Sequence, residues 1–480
     1  MQLKKKKHKG QVRESLATFS ASLLAATIAT HADKAMAQQQ YYDPAYGYNN
    51  DNFGPGVAYS ELDSALLVYK ESGGRVQAIE PATDLSVHGA AGQELTLGLV
   101  ADAVSGATPN GAVPSDQTQT FVTPVKIVTG GKSGGTATVT SASGGSTVIR
   151  LPSTPGQVST VARQYTVAPN TLPVDKGFHD HRMAANFGWS QPLGGISLVG
   201  FGGGYSVEQD YRAITGNVRI SQNFNSDNTT ISLAVNTELD SSFPYGGVPM
   251  PMTVMNGQLK TPTSRSKTQV GFVAGLTEVM TRRWLMQLNY SYDTQSGYQN
   301  DPYRVISTVD PVSGEPTSYL YENRPNKRTS QSIFWDNKFD YGPTVTELSL
   351  RYFKDSWGIT SKTAELSERV NLSSSIYLEP SARWYQQSAA NFFHYYLLDN
   401  QATPAYASSD TRLGKFTSMT VGMKVGFKLT GRTEFYLTGD YYRQTGDGHP
   451  AAAIGQLKQQ NLFAGTSAVF VLLGYTWDFH

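Results

Sequence analysis

The densest group of titratable side chains in the sequence is His179-Asp180-His181-Arg182. On a strand, alternate residues share a face, so His179 and His181 would point the same way, a spacing that suits two ligands of one metal ion. No third ligand can be assigned from residue order, and the group reads as a polar strand start at an outer rim. His394, beside Tyr395 and Tyr396, reads as loop packing. The chain has 8 His, yet none sits beside a nucleophile in a recognisable elbow, and no G-x-S-x-G occurs. Gly130-Gly131-Lys132-Ser133 lacks the spacing and the following helix of a phosphate loop. No catalytic, cofactor-binding or metal-ligating set is assigned, and the chain is expected not to be an enzyme.

Charges at even spacing carry more information. Glu347 and Arg351, Glu365 and Arg369, and Glu379 and Arg383 lie four apart, and Lys424, Lys428, Glu434 and Asp440 follow the same rule on later runs. Each falls on the polar face of an alternating stretch. Lining the inside of a barrel, they would set an ion preference or bind a polar solute; equally, they would neutralise one another. Segments rich in Asp, Asn, Pro and Gly, such as 297–304 and 408–410, are explained by turn chemistry without a bound Ca²⁺.

The elements that must position these charges are strands. In Thr344–Lys354 one face carries Thr346, Leu348, Leu350 and Tyr352, and the other Glu347, Ser349, Arg351 and Phe353. The final stretch puts Val469, Val471, Leu473, Tyr475, Trp477 and Phe479 on one side. A period of two means a strand, and an unbroken apolar face ending in aromatics suits lipid on one side with an interface at the tip. About sixteen such runs can be placed from Ser60 to the C-terminus, among them 60–71, 74–87, 179–191, 411–428 and 466–479. Short connections fall on one side and every long one (106–178, 242–265, 297–327, 389–410, 445–465) on the other. The expected fold is all-β, a transmembrane antiparallel barrel of about 16 strands with short periplasmic turns and long extracellular loops.

Composition agrees. The chain of 480 residues has 39 Lys+Arg against 38 Asp+Glu, which argues against a nucleic-acid partner that needs a basic face. It has 46 Gly, 27 Tyr and no Cys, suiting turns and aromatic girdles and excluding disulfides and thiolate metal sites. Residues 1–37 have the basic, then apolar, then Ala35-Met36-Ala37 layout of a secretory signal peptide. Residues 38–59 read as a periplasmic lead-in, and 60–480 as the barrel, with 126–151 as a hairpin insertion in the second external loop.

The C-terminal pattern Gly474-x-x-Trp477-x-Phe479 resembles the insertion signal of bacterial outer-membrane barrels. That resemblance implies the barrel-assembly machinery as a partner, alongside outer-membrane lipid. His480 follows the last aromatic, and Leu472 stands where a polar residue is usual. Several separated segments also resemble one bacterial family, the domain of unknown function 3570. They are Val104–Ala112, Gly297–Arg304, Tyr321-Glu322-Asn323-Arg324-Pro325, Arg351–Ile359 and Arg383–Ala390. The resemblance implies an envelope barrel and supplies no activity and no site residues.

These segments fall at external strand ends, where Arg324, Asp355, Trp357 and Asp410 are expected to tie the loops into a cap. The expected function is a pore, or the barrel component of an envelope transport or electron-transfer system with a periplasmic or lumenal partner. A surface lipid or peptide hydrolase and a surface adhesin are the alternatives.

Overall fold

A computed structural model describes residues 58–128, 136–140, 146–150, 158–194, 197–244, 246–255, 260–261, 264–463 and 465–479. Sixteen of its strands join in one closed antiparallel barrel. The first eight are β1 (Tyr59–Glu71), β2 (Gln77–His88), β3 (Glu94–Pro109), β4 (Val174–Leu193), β5 (Ser197–Val207), β6 (Tyr211–Phe224), β7 (Thr229–Ser242) and β8 (Arg265–Thr281). The second eight are β9 (Trp284–Gly297), β10 (Lys327–Asp340), β11 (Thr344–Asp355), β12 (Thr360–Asn371), β13 (Ile376–Gln387), β14 (Phe416–Thr430), β15 (Thr433–Gly446) and β16 (Thr466–Phe479). β16 pairs with β1 from Ser60↔Phe479 to Glu71↔Ala468, which closes the sheet and leaves no edge strand. Among the described residues no helix is long and apolar enough to cross a membrane; this chain crosses with strands.

Alternation sorts the side chains as a bilayer requires. On β16, Leu473 is 54% exposed on the outer face while Leu472 beside it is 3% exposed toward the lumen. Leu472 packs there with Leu67, Tyr69, Phe470 and Tyr436. An apolar lumen patch at the closing seam is therefore why an aliphatic side chain replaces the usual polar one. Trp477 and Phe479 stack at 4.6 Å on the outer face, at the end where the turns are short.

The same end carries a row of rings seated over glycines. Tyr377 of β13 faces Gly426 of β14, which faces Tyr436 of β15, which faces Gly474 of β16. Each tyrosine lies flat on the next strand, and a Cβ built on Gly426 or Gly474 would fall into the Tyr377 or Tyr436 ring. Tyr377 Oη donates to Glu434 Oε1 at 2.7 Å, and the Arg369 guanidinium covers the Tyr377 ring at 4.0 Å.

Strand limits differ from the alternation pattern most at the ends of four strands, among them β3, which runs on to Pro109 instead of 105. β14 starts at Phe416 instead of 411, because Asp410 accepts from Arg412 N (3.0 Å) and caps a 3₁₀ turn at Thr411–Leu413. β2 starts at Gln77, since Gly73 and Gly74 adopt positive φ in a turn. β4 starts five residues early, at Val174, and extends the ladder with β3 above the barrel wall. In the loop after β3, Gln119–Val128 pairs with Val158–Val167 and Thr136–Thr140 with Ser146–Arg150, so the paired segment runs beyond 126–151 at both ends. The expected signal peptide and nearly all of the lead-in lie outside the described residues; Tyr59 already belongs to β1.

Candidate functional site

The lumen wall is built of inward residues from facing strands, so its charges meet across the ladder. Arg369 Nε donates to Glu379 Oε2 at 2.8 Å, between β12 and β13. Arg383 Nε approaches Glu365 Oε2 at 3.6 Å between the same strands. Glu347 pairs with Lys338 of β10 at 2.9 Å, and the Arg351 guanidinium lies 5.9 Å from the Phe353 ring centroid. The four-residue spacing puts two charges on one face of one strand, too far apart to touch; the partner comes from the neighbouring strand. Lys424 faces Glu379 in the ladder and lies over the Tyr436 ring at 5.0 Å. Asp440 faces Gly422. Lys428 faces Glu434 at the turn end, where Lys428 is exposed and Glu434 buried.

At the opposite end five long loops interlock. In the loop after β9, Val305–Val309 and Pro316–Tyr321 form a hairpin, and Leu397–Leu398 from the loop after β13 pairs in parallel with its first strand. The loop after β7 joins through Met252 N, which donates to Tyr321 O at 3.0 Å. The loop after β3 joins through Val113 N, which donates to Ser307 Oγ at 3.1 Å. The loop after β15 joins through Gln456 Nε2, at 3.1 Å from both Pro114 O and Gly314 O. Val113, Val309, Ala453, Leu457 and Leu462 make an apolar core beneath. Gly111 passes so close to Val305 O, at φ +97°, that no side chain fits.

Two ion clusters hold this cap. Arg324, 1% exposed, pairs with Glu322 (2.7 Å) and Asp410 (3.0 Å). Arg412 reaches Asp410 at 2.6 Å, and Arg304 lies 3.4 Å from Asp301 and 3.5 Å from Asp410. Three guanidiniums thus face three carboxylates. Burial alone would raise the Asp410 carboxyl; Arg304 and Arg412 overcome it and hold it well below the usual carboxylate range. In the second cluster Asp355 accepts from Arg328 Nη2 (2.6 Å), Trp357 N (3.0 Å) and Ile359 N (2.8 Å). Arg328 also covers the Trp357 indole at 4.6 Å. Trp357 packs with Phe392 and Leu413, which joins this cluster to the turn that Asp410 caps. Arg324 and Asp410 therefore meet in one cluster and Asp355 and Trp357 in the other. Their partners Asp301, Arg304, Glu322, Arg328 and Arg412 escaped sequence reasoning. Arg304, Glu322 and the Asp410-x-Arg412 spacing lay in view, but only the loop crossing makes them neighbours.

The His179–Arg182 stretch lies at the loop end of β4. Asp180 comes together with Glu208 and Asp210, their oxygens within 4.8 Å of one another, while His181 is exposed and Arg182 pairs with Asp102 at 2.5 Å. Three carboxylates are a donor set that a hard divalent cation accepts. Tyr303 Oη donates to Asp210, which ties this rim to the cap. Burial and then Asp180 push the Glu208 carboxyl up to about 8, and burial lifts Asp210 to about 6. A carboxyl with a raised folded pKa gives stability that is complete below its unfolded value, 4.5 for Glu208, and lost as pH rises through about 8. Protease cutting at 208–211 should therefore slow as pH falls from 8 to 5, and Glu208→Gln should remove most of that dependence. An unchanged pH dependence in the variant would exclude Glu208 as its source.

The model of a family described as "Protein of unknown function (DUF3570)" matches residues 22–477. The chain belongs to this family. The DUF3570 barrel is similar to a mutant of the ferric enterobactin receptor PfeA from Pseudomonas aeruginosa, at 10% identity and TM-score 0.39 over 87% of this chain and 60% of that one. It thus spans about 60% of the length of that receptor. It is also similar to OccAB1 from Acinetobacter baumannii (9% identity, TM-score 0.37, 91% and 99% of the two chains). A third likeness is to opdK from Pseudomonas aeruginosa (8%, 0.37, 88% and 99%). No curated protein matches the sequence. A closed barrel with an apolar outer band and aromatic tips is a structure of the bacterial outer membrane, and that is where this DUF3570 protein resides.

Proposed function

We propose that this DUF3570 barrel is a passive aqueous pore whose outer mouth is narrowed by the loop cap. The observation that carries this reading is a stretch of lumen wall without bulk. Three successive inward positions of β5, between Leu198 and Ser206, are Gly200, Gly202 and Gly204; Arg219 and Asn217 of β6 lie over the first two, and beside Gly204 the inward Asn186 and Thr215 are solvent-exposed. A barrel of sixteen strands is wide enough to hold water unless something fills it. The polar wall supports solute passage, and the ion-paired cap supports a fixed constriction in place of a mobile lid.

The test is planar-bilayer conductance of the purified barrel, with heat-modifiable migration on a gel as the check of folding. Stable open-channel steps are expected, and deleting 299–326, which removes one side of the cap, should enlarge them. A folded barrel silent in both forms would overturn the pore.

A further inference from the structure

We infer that the lumen prefers small cations to anions, an inference that rests on the barrel being a pore. Five of the lumen's cations hold a carboxylate and Arg219, Arg351, Lys424 and Lys428 also face inward, but inward carboxylates outnumber inward lysines and arginines. Arg182, Lys267, Lys338, Arg369 and Arg383 each hold a carboxylate within 4.0 Å. Across β1–β3 the inward positions include Asp63, Glu80, Asp84, Glu94 and Asp102, and no lysine or arginine. Only Arg182 from β4, which reaches Asp102 and Glu80, and Arg75 at the loop-end rim, which reaches Glu71, bring a guanidinium to this wall among the described ion pairs.

Three carboxylates on three separate walls stand outside every described ion pair. Asp84 of β2 is seated over Gly98, beside Asn186. Asp440 of β15 is seated over Gly422, beside Ser381. In both places the absent side chain lets the carboxylate lie against the wall, so negative charge is added without narrowing the passage. Glu238 of β7 is near Asp240 and must share Lys267 with it, and Lys267 is already 2.7 Å from Asp240. A water-filled passage with a surplus of fixed negative charge lowers the energy of a cation along its length and raises that of an anion.

The experiment is the reversal potential of single barrels under a KCl gradient. A potential of the K⁺ sign is expected. The Asp84→Asn, Glu238→Gln, Asp440→Asn triple variant should lower the K⁺/Cl⁻ permeability ratio about three- to tenfold at 0.1 M salt. The wild-type preference should also shrink as KCl rises to 1 M and the screening length contracts to about 3 Å. Open channels with a Cl⁻ preference, or a ratio unmoved in the folded triple variant, would overturn the inference while leaving the pore intact. A folded barrel without channels would instead overturn the pore itself, and the cation preference with it.

Discussion

Replacing Arg324 with Met should unlock the cap and leave the barrel standing. The side chain is 1% exposed and touches two carboxylates, Glu322 and Asp410. Without it, two guanidiniums face three buried carboxylates, and removing one partner of a buried ion pair costs about 3–5 kcal/mol. Methionine fills most of the volume, so the loss is chiefly one of charge. The strand ladder does not depend on this cluster, because every barrel strand pairs on both sides independently of the cap. Limited proteolysis should therefore cut within 298–326 and 388–415 in the variant and spare both loops in the wild type, with heat-modifiable migration retained in each. Equal protection in the two proteins would show that the hairpin and the apolar core hold the cap by themselves. Acid should loosen the wild-type cap in the same way. Asp410 and Asp301 are held below their ordinary 3.8 in the folded state, so their contribution is present above that value and is lost as pH falls further.

The second large effect is expected at Gly474. A Cβ there would occupy the space of the Tyr436 ring, which is 2% exposed. Gly474→Ala must evict that ring from its seat, at a cost of about 1–3 kcal/mol for overpacking together with the lost ring contact. β16 is also the strand that closes the barrel on β1, so the penalty falls on closure. Refolding yield into detergent, scored by heat-modifiable migration, should drop sharply. Combining Gly474→Ala with Tyr436→Ser should recover part of the yield, because the second change vacates the clashing space. A double variant no better than Gly474→Ala alone would show that the seat of the Tyr436 ring is not what the glycine provides.

Much of this architecture is legible without coordinates, for a physical reason. A bilayer imposes one solvent on the outer face of every strand, so each strand must alternate, and the alternation repeats with little interference from tertiary detail. Strands such as Tyr211–Phe224, Thr344–Asp355 and Thr466–Phe479 accordingly end where the pattern ends. Limits blur where a loop supplies its own hydrogen bonds, as at Asp410, whose cap turns Thr411–Leu413 away from β14.

The charges divide in the same way. By itself the sequence determined which residues face the lumen, because a side chain's face depends only on its parity within a strand. Their partners needed the register: Glu347 meets Lys338, because a contact across the ladder spans one strand spacing while a contact along the strand spans two pleats. Only the tertiary structure decided the cap and the rim. Arg324 meets Asp410, and Asp180 meets Glu208 and Asp210, through loop crossings that leave no periodic trace in the chain. Gly474 was visible as part of a terminal pattern, but its necessity became physical only when the Tyr436 ring was found lying where its side chain would be.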